Sequence, residues 1–262
     1  MKNRIKELLS NRKAGILSMY YTAGFPNLAD TGKIAESLAA AGADIIEIGI
    51  PYSDPVADGP TIQASNTVAL KNGMRLSMLI DQVKQIRKNV NIPIILMGYI
   101  NPVLQYGIEK FAKDASAAGV DGVILPDMPM DEYLEHYKSL FDSVNVSNTF
   151  LISPTTSEER IRKIDAVTDG FIYAVSASSI TGAKGKFEKA QLDYFDRIKK
   201  MKLKNPYLIG FGISNHESFA TASQYGAGAI VGSAFVDLLK TSKDLNGDIT
   251  AFVKSLKNGA ID

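Results

Sequence analysis

The chain contains no cysteine. That excludes disulfides, thiol nucleophiles and thiolate metal sites, and it fits a reducing cytoplasm. There are only two histidines, His136 and His216. Both fall in helical or helix-start stretches, where solvent-facing positions are expected, so a His-ligated metal centre has no ligands here. Charge of one sign is also missing: 29 Lys and Arg stand against 28 Asp and Glu, for a net charge of +1. This balance gives no electrostatic case for nucleic acid or for an anionic membrane. No apolar run approaches the roughly 18 residues of a membrane-spanning helix. The opening stretch, Met1 to Lys13, is charged, with Ile5, Leu8 and Leu9 at helical spacing. It predicts an N-terminal helix over about 2–12 rather than a signal peptide.

What the chain does have is alternation. Short β-rich runs recur at Gly15–Tyr21, Asp44–Ile48, Pro93–Gly98, Gly122–Leu125, Ser147–Ile152, Gly170–Val175, Tyr207–Gly210 and Ala229–Gly232. Most are continuously apolar, as parallel strands buried on both faces are. Between them lie stretches of 3.6-residue spacing, such as Ile34, Leu38 and Ala41, or Leu79, Val83 and Ile86. Eight strand–helix alternations in 262 residues predict an α/β fold, a single-domain (β/α)8 TIM barrel with extra short helices. A doubly wound open sheet is the alternative, but no Gly-x-Gly-x-x-Gly turn follows the first strand. Three segments, 40–46, 117–123 and 224–230, each end a helical stretch with glycine and start a strand. Glycine is expected there as a left-handed helix cap. One long stretch, Ser176–Lys189, has no period and is rich in Ser, Gly and Lys. It is expected to be a mobile lid.

The C-terminal ends of barrel strands carry active sites. Glu47 lies near that end of the second run, between Ile46 and Ile48. A carboxyl inside a strand buried on both faces is costly unless something stabilises it, and desolvation raises its pKa toward general acid/base use. Asp54 and Asp58 follow in a loop stiffened by Pro51, Pro55, Gly59 and Pro60. Each aspartate alone reads as a turn former; their interest is their position just beyond Glu47. A carboxylate trio suits Mg2+ in principle, but the stiff turn and the lack of further ligands argue against it.

The other half of the chain offers a cradle for an anion. The seventh run ends in Gly210-Phe211-Gly212 and the eighth in Gly232-Ser233. In barrels of this kind the loops after strands seven and eight, with a short helix N-terminus, often bind phosphate. Gly182 in the long loop is a further N–H donor. No lysine lies inside any of the eight runs, which disfavours Schiff-base chemistry. Chemistry on a small phosphorylated molecule then rests on carboxylates and hydrogen bonds.

The segment Glu-Ile-Gly-Ile-Pro-Tyr-Ser-Asp-Pro-Val-Ala-Asp-Gly-Pro-Thr-Ile-Gln (47–63) resembles the signature of the tryptophan synthase α subunit family. The likeness extends over Tyr21–Pro26, Met97–Pro102, Leu125–Pro129, Ser176–Gly182, Gly210–Gly212 and Gly232-Ser233, essentially the whole chain. It implies retro-aldol cleavage of indole-3-glycerol phosphate to indole and glyceraldehyde 3-phosphate. By resemblance, Glu47 is the catalytic acid/base and Asp58 accepts a hydrogen bond from the indole N–H. Tyr173 lines the site near Glu47. Tyr20, Met97, Ile124 and Ile152 fall at the indole pocket, where barrel core is an equally good reading of apolar side chains. Gly182, Gly212, Gly232 and Ser233 match phosphate-binding positions, and Thr181 matches a lid residue that meets Asp58. Ala177 stands where some members carry arginine, and Tyr20 where some carry phenylalanine. The resemblance further implies a pyridoxal-phosphate β subunit as partner in an α2β2 complex, contacted through Asp54, Pro55, Asn101 and Pro102. No cofactor is expected on this chain itself. A phosphosugar isomerase or epimerase on the same barrel, or a non-catalytic activator of a β-type partner, are the competing readings.

Overall fold

The computed structural model describes residues 3–176 and 186–259. Its strands are β1 (Ile16–Thr22), β2 (Ile45–Gly49), β3 (Ile94–Met97), β4 (Gly122–Ile124), β5 (Ser147–Thr149), β6 (Leu151–Ile152), β7 (Ile172–Val175), β8 (Tyr207–Gly210) and β9 (Gly228–Val231). All pair in parallel, in the order β5-β4-β3-β2-β1-β9-β8-β7-β6. The two outermost strands of that order are separated in sequence by Phe150 alone, so the ladder closes on itself as a TIM barrel. The expected fifth strand over 147–152 is therefore two short strands. Its first half pairs with β4 and its second with β7. A barrel closes only with stagger between strands, and here the stagger falls within one short strand.

Successive side chains point to opposite faces of a strand, and the apolar residues sort accordingly into two clusters. Ile16, Ile45, Ile95, Ile124, Leu208 and Ile230 fill the lumen. Leu17, Ile46, Ile94, Val123, Ile209 and Val231 face the helix layer. The periodic stretches read from sequence are helices Asp30–Ala41 and Leu76–Ile86, with Ile34, Leu38, Leu79, Val83 and Ile86 buried. Gly42 and Gly119 are left-handed helix caps, at φ +97° and +92°. Gly226 is not: its backbone is extended at φ −110°. The residue is small there for another reason, since a Cβ would stand 2.7 Å from the Tyr207 carbonyl oxygen.

The N-terminal helix, Arg4–Asn11, stops the bottom of the barrel, with Ile5 and Leu9 in the luminal cluster. Asn3 caps it by accepting from the Ile5 and Lys6 amides, and its own amide donates to the carbonyls of Asp121 (2.7 Å) and Asn145 (3.0 Å). Asp121, buried, accepts from the Ile94 and Arg4 amides and pairs with the guanidiniums of Arg4 and Arg87. Arg87 also donates to the carbonyls of Gly119, Val90 and Ile92. Burial pushes the Arg87 guanidinium down to about 10, against the pull of Asp121. Removing one partner of such a pair leaves a buried charge unmatched. Asp121→Ala is accordingly expected to lower unfolding free energy by about 3–5 kcal/mol in urea titration.

Candidate active site

At the C-terminal end of the barrel lies a cavity of about 270 Å3. Tyr20, Met97 and Tyr173 from the strands form its inner wall, Asp58 one side, and Gly212, Gly232 and Ser233 the other. Two tyrosine rings fit into the barrel mouth because two strand ends carry no side chain. A Cβ at Gly49 would strike the Tyr20 phenol, and one at Gly210 would strike the Tyr173 ring. Glycine at a strand interior marks this kind of close approach. The Tyr20 hydroxyl lies 3.5 Å from Thr22 Oγ1, which in turn shares a 2.6 Å hydrogen bond with Ser65. Burial drives both phenols well above their ordinary range.

Glu47 sits beside Tyr20 in the β1–β2 register and is 0 % exposed. Ser18 Oγ donates to its Oε1 at 2.6 Å; Oε2, also buried, has no protein partner. Desolvation raises its pKa from 4.5 to about 7, with the Ser18 bond acting in the opposite direction. Glu47 does not itself border the cavity, but its charge is felt by Tyr20 and Tyr173, which do. Asp58 is buried as well, and desolvation pushes it up to about 6. Tyr99 Oη opposes that rise: it donates to Asp58 Oδ2 at 3.2 Å while accepting from the Ala57 amide at 2.8 Å. Tyr99 thus ties the loop backbone to the carboxylate.

The cradle side combines a strained turn and a helix start. Phe211 and Gly212 both have left-handed backbones, at φ +68° and +78°. For phenylalanine that conformation costs about 1–2 kcal/mol; the Ser176 hydroxyl, 2.6 Å from the Phe211 carbonyl oxygen, secures it. Helix Ser233–Thr241 begins at Ser233 after Gly232, with no side chain capping it. Its first N–H groups have no partners within the helix and carry the positive end of its dipole, a setting that favours an anion.

Of the residues singled out from sequence, Tyr20, Met97, Tyr173, Asp58, Gly212, Gly232 and Ser233 share this cavity. Ile124 lies in the luminal cluster with Tyr173 and Met97, whereas Ile152 packs toward the helices. Asp54 and Asn101 are exposed, Pro55 is buried, and Pro102 is half-buried. Asn101 reaches the same loop by donating to Tyr52 Oη at 3.0 Å. Thr181, Gly182 and Ala177 lie outside the described residues, as does most of the expected lid over 176–189. Among the described residues no group of three His, Cys, Asp or Glu side chains is arranged to hold a metal ion, and no helix is long and apolar enough to cross a membrane. Sequence reasoning missed Ser18, Tyr99 and Asp237. Asp237 lines the cavity and accepts from Thr61 Oγ1 at 3.4 Å. Ser18 had a signal: Ser18, Tyr20 and Thr22 alternate along β1, which sets three hydroxyls on one strand face.

A phosphate-suited cradle facing buried carboxyls across the mouth of a parallel barrel defines a class: a TIM-barrel enzyme doing acid/base chemistry on a phosphorylated substrate. Comparison with known proteins narrows it. The model of the family "Tryptophan synthase alpha chain" matches residues 6–260, and the chain belongs to that family. It is 55% identical over 234 residues to the tryptophan synthase alpha chain of Flavobacterium psychrophilum, covering 89% of this chain and 92% of the relative. To that of Flavobacterium johnsoniae it is 52% identical over 255 residues, 97% of this chain and all of the relative. Among solved structures it is similar to the alpha chain of Legionella pneumophila, with a TM-score of 0.87 at 34% identity over 99% of this chain and 97% of the other. A tryptophan synthase complex from Pyrococcus furiosus matches with a TM-score of 0.84 at 35% identity, covering 94% of this chain and 98% of the matched one. The activity that goes with membership is the indole-3-glycerol phosphate lyase reaction of tryptophan biosynthesis.

The raised pKa of Glu47 has a consequence for stability. Folding binds its proton more tightly, so the carboxyl's contribution is full below about pH 4.5 and is lost as pH rises through about 7. A glutamine never has to ionise in that dry site. At 1.36 kcal/mol for each pH unit between the two values, Glu47→Gln is expected to stabilise the fold at pH 8 by roughly 3 kcal/mol at most. The gain should vanish below about pH 5. Thermal melting of both proteins across pH 5–8 measures it, and equal melting temperatures throughout would contradict the buried, ionisable state.

Proposed function

We propose that Glu47 is the proton-transfer group of the lyase reaction and that Asp58 is its electrostatic partner at the indole nitrogen. One observation carries the assignment. A fully buried carboxyl with a pKa raised to about 7 and one unengaged oxygen lies next to the two tyrosines that wall the cavity. A group titrating near the working pH can both give and take a proton.

In this reading the protonated Glu47 delivers its proton to C3 of the indole ring. The ring becomes an indoleninium, and its N–H donates to the Asp58 carboxylate, a bond made strong by the dry surroundings. The Glu47 carboxylate then takes the proton of the hydroxyl on the glycerol carbon joined to C3. That carbon becomes the aldehyde carbon, the bonding pair returns to the ring, and indole and glyceraldehyde 3-phosphate part. Glu47 ends as it began. Because the carboxyl lies behind Tyr20 and Tyr173 and does not border the cavity, the reading requires those tyrosines to shift when substrate enters. Gly212, Gly232 and Ser233, with Gly182 from the lid, hold the phosphate. Tyr20, Met97, Ile124 and Tyr173 surround the ring and its approach in a site closed to water; Ile152, which packs toward the helices, is not among them.

The chain acts as one domain in the cytoplasm, carries no cofactor, and passes indole to a pyridoxal-phosphate β subunit within an α2β2 complex. A partner surface is supported by the loop holding Asp54 and Pro55 and the helix holding Asn101 and Pro102. They are linked through Tyr52, and two apolar side chains stand out in water there, Val56 at 81 % and Leu104 at 47 % exposure. The similar Pyrococcus furiosus structure is of a tryptophan synthase complex.

Two variants test the assignments. Glu47→Gln should reduce indole release from indole-3-glycerol phosphate by at least about a thousandfold, in keeping with loss of a group used as both acid and base. Turnover near native would reject it. Gly232→Asp probes the cradle cleanly, because a side chain there meets nothing nearer than 3.6 Å and its backbone is not left-handed. Repulsion of the phosphate should raise KM by about tenfold or more, and an unchanged KM would place the phosphate elsewhere.

A further inference from the structure

Ser18 is a polar side chain at 0 % exposure on the luminal face of β1, flanked in register by Ile45 and Ile230. Its hydroxyl makes one side-chain bond, to Glu47 Oε1. Burying a hydroxyl in such apolar company is unfavourable unless it finds a partner, and the partner it finds is the acid/base carboxyl. The two oxygens of that carboxyl are left in unequal states. Oε1 holds a short bond from Ser18, and Oε2 is buried with none.

We propose that Ser18 is a positioning residue for proton transfer: its hydroxyl holds Oε1 of Glu47 and thereby makes Oε2 the oxygen that gives and takes the proton. The inference rests on the assignment of Glu47 as acid/base. The geometry works in both protonation states. A serine hydroxyl donates to Oε1 whether that atom belongs to a carboxylate or is the carbonyl oxygen of the acid. The bond therefore persists through the cycle while the proton leaves and rejoins Oε2, and it holds the carboxyl in one rotamer as the proton moves. It also favours the ionised form, against the desolvation that favours the neutral one. The other titratable groups facing Glu47 are the phenols of Tyr20 on β1 and Tyr173 on β7, with Asp58 beyond them. Among the described residues no cation forms an ion pair with Glu47, so no other bond does this work for it.

The test is steady-state kinetics of Ser18→Ala and Ser18→Thr from pH 5 to 9, with infrared titration of the Glu47 carboxyl band, identified by its loss in Glu47→Gln. Ser18→Ala is expected to lower kcat at least tenfold with KM within about twofold of native. The alkaline limb of its pH profile, and the infrared midpoint, should both move up. Ser18→Thr, which keeps the hydroxyl, should retain the native limb. A Ser18→Ala enzyme with native kcat overturns the proposal. So does one whose kcat falls while limb and midpoint stay in place, since that marks a packing role only. Failure of the underlying reading is separately visible, because Glu47→Gln would then remain active.

Discussion

A carboxyl group kept away from water inside a closed parallel barrel is the constraint around which this structure is organised. Ionising Glu47 in the lumen is unfavourable, and a permanently neutral group there could exchange no proton. The surroundings hold it between those limits. The barrel wall supplies apolar neighbours that raise its pKa, one hydroxyl from the adjacent strand limits the rise, and among the described residues no cation pairs with it. Asp58 shows the same balance one loop later, with Tyr99 in the place of Ser18. Burial thus raises both carboxyls, Glu47 to about 7 and Asp58 to about 6, and in each case one hydroxyl opposes the rise.

The opposite end of the barrel is built on the contrary rule. Asp121 also is buried, but it is surrounded by amides and two guanidiniums, so its charge is fully matched. Asp121 locks the N-terminal helix under the barrel through these bonds, whereas Glu47 has a single hydroxyl for a partner.

Much of this was legible in the sequence. The eight apolar runs coincide with observed strands to within about two residues, because parallel strands with both faces covered have no polar face to confuse the pattern. Glu47 stood out for the same reason: it is the charge flanked on both sides by apolar residues inside its run. What escaped was whatever depends on register. The Ser18–Glu47 bond exists because β1 and β2 align Tyr20 with Glu47, and no single-chain pattern states that alignment. Tyr99 stands just past β3 and Asp237 in the helix Ser233–Thr241, and strand patterning alone does not say that either side chain turns toward the site. Gly226 sits in the same sequence setting as Gly42 and Gly119 yet adopts a different backbone, since a neighbouring carbonyl rather than helix termination demands its small size. The division of the fifth strand at Phe150 is a property of barrel closure and has no local signature.

The missing side chains at Gly49 and Gly210 bear on how such a pocket can change over generations. Each vacancy is occupied by an aromatic ring from the neighbouring strand, Tyr20 in one case and Tyr173 in the other. Bulk gained at 210 would have to be given up at 173, and the pair 49 and 20 obeys the same trade. A side chain gained at either glycine is therefore expected to be tolerated only where the facing tyrosine has become smaller.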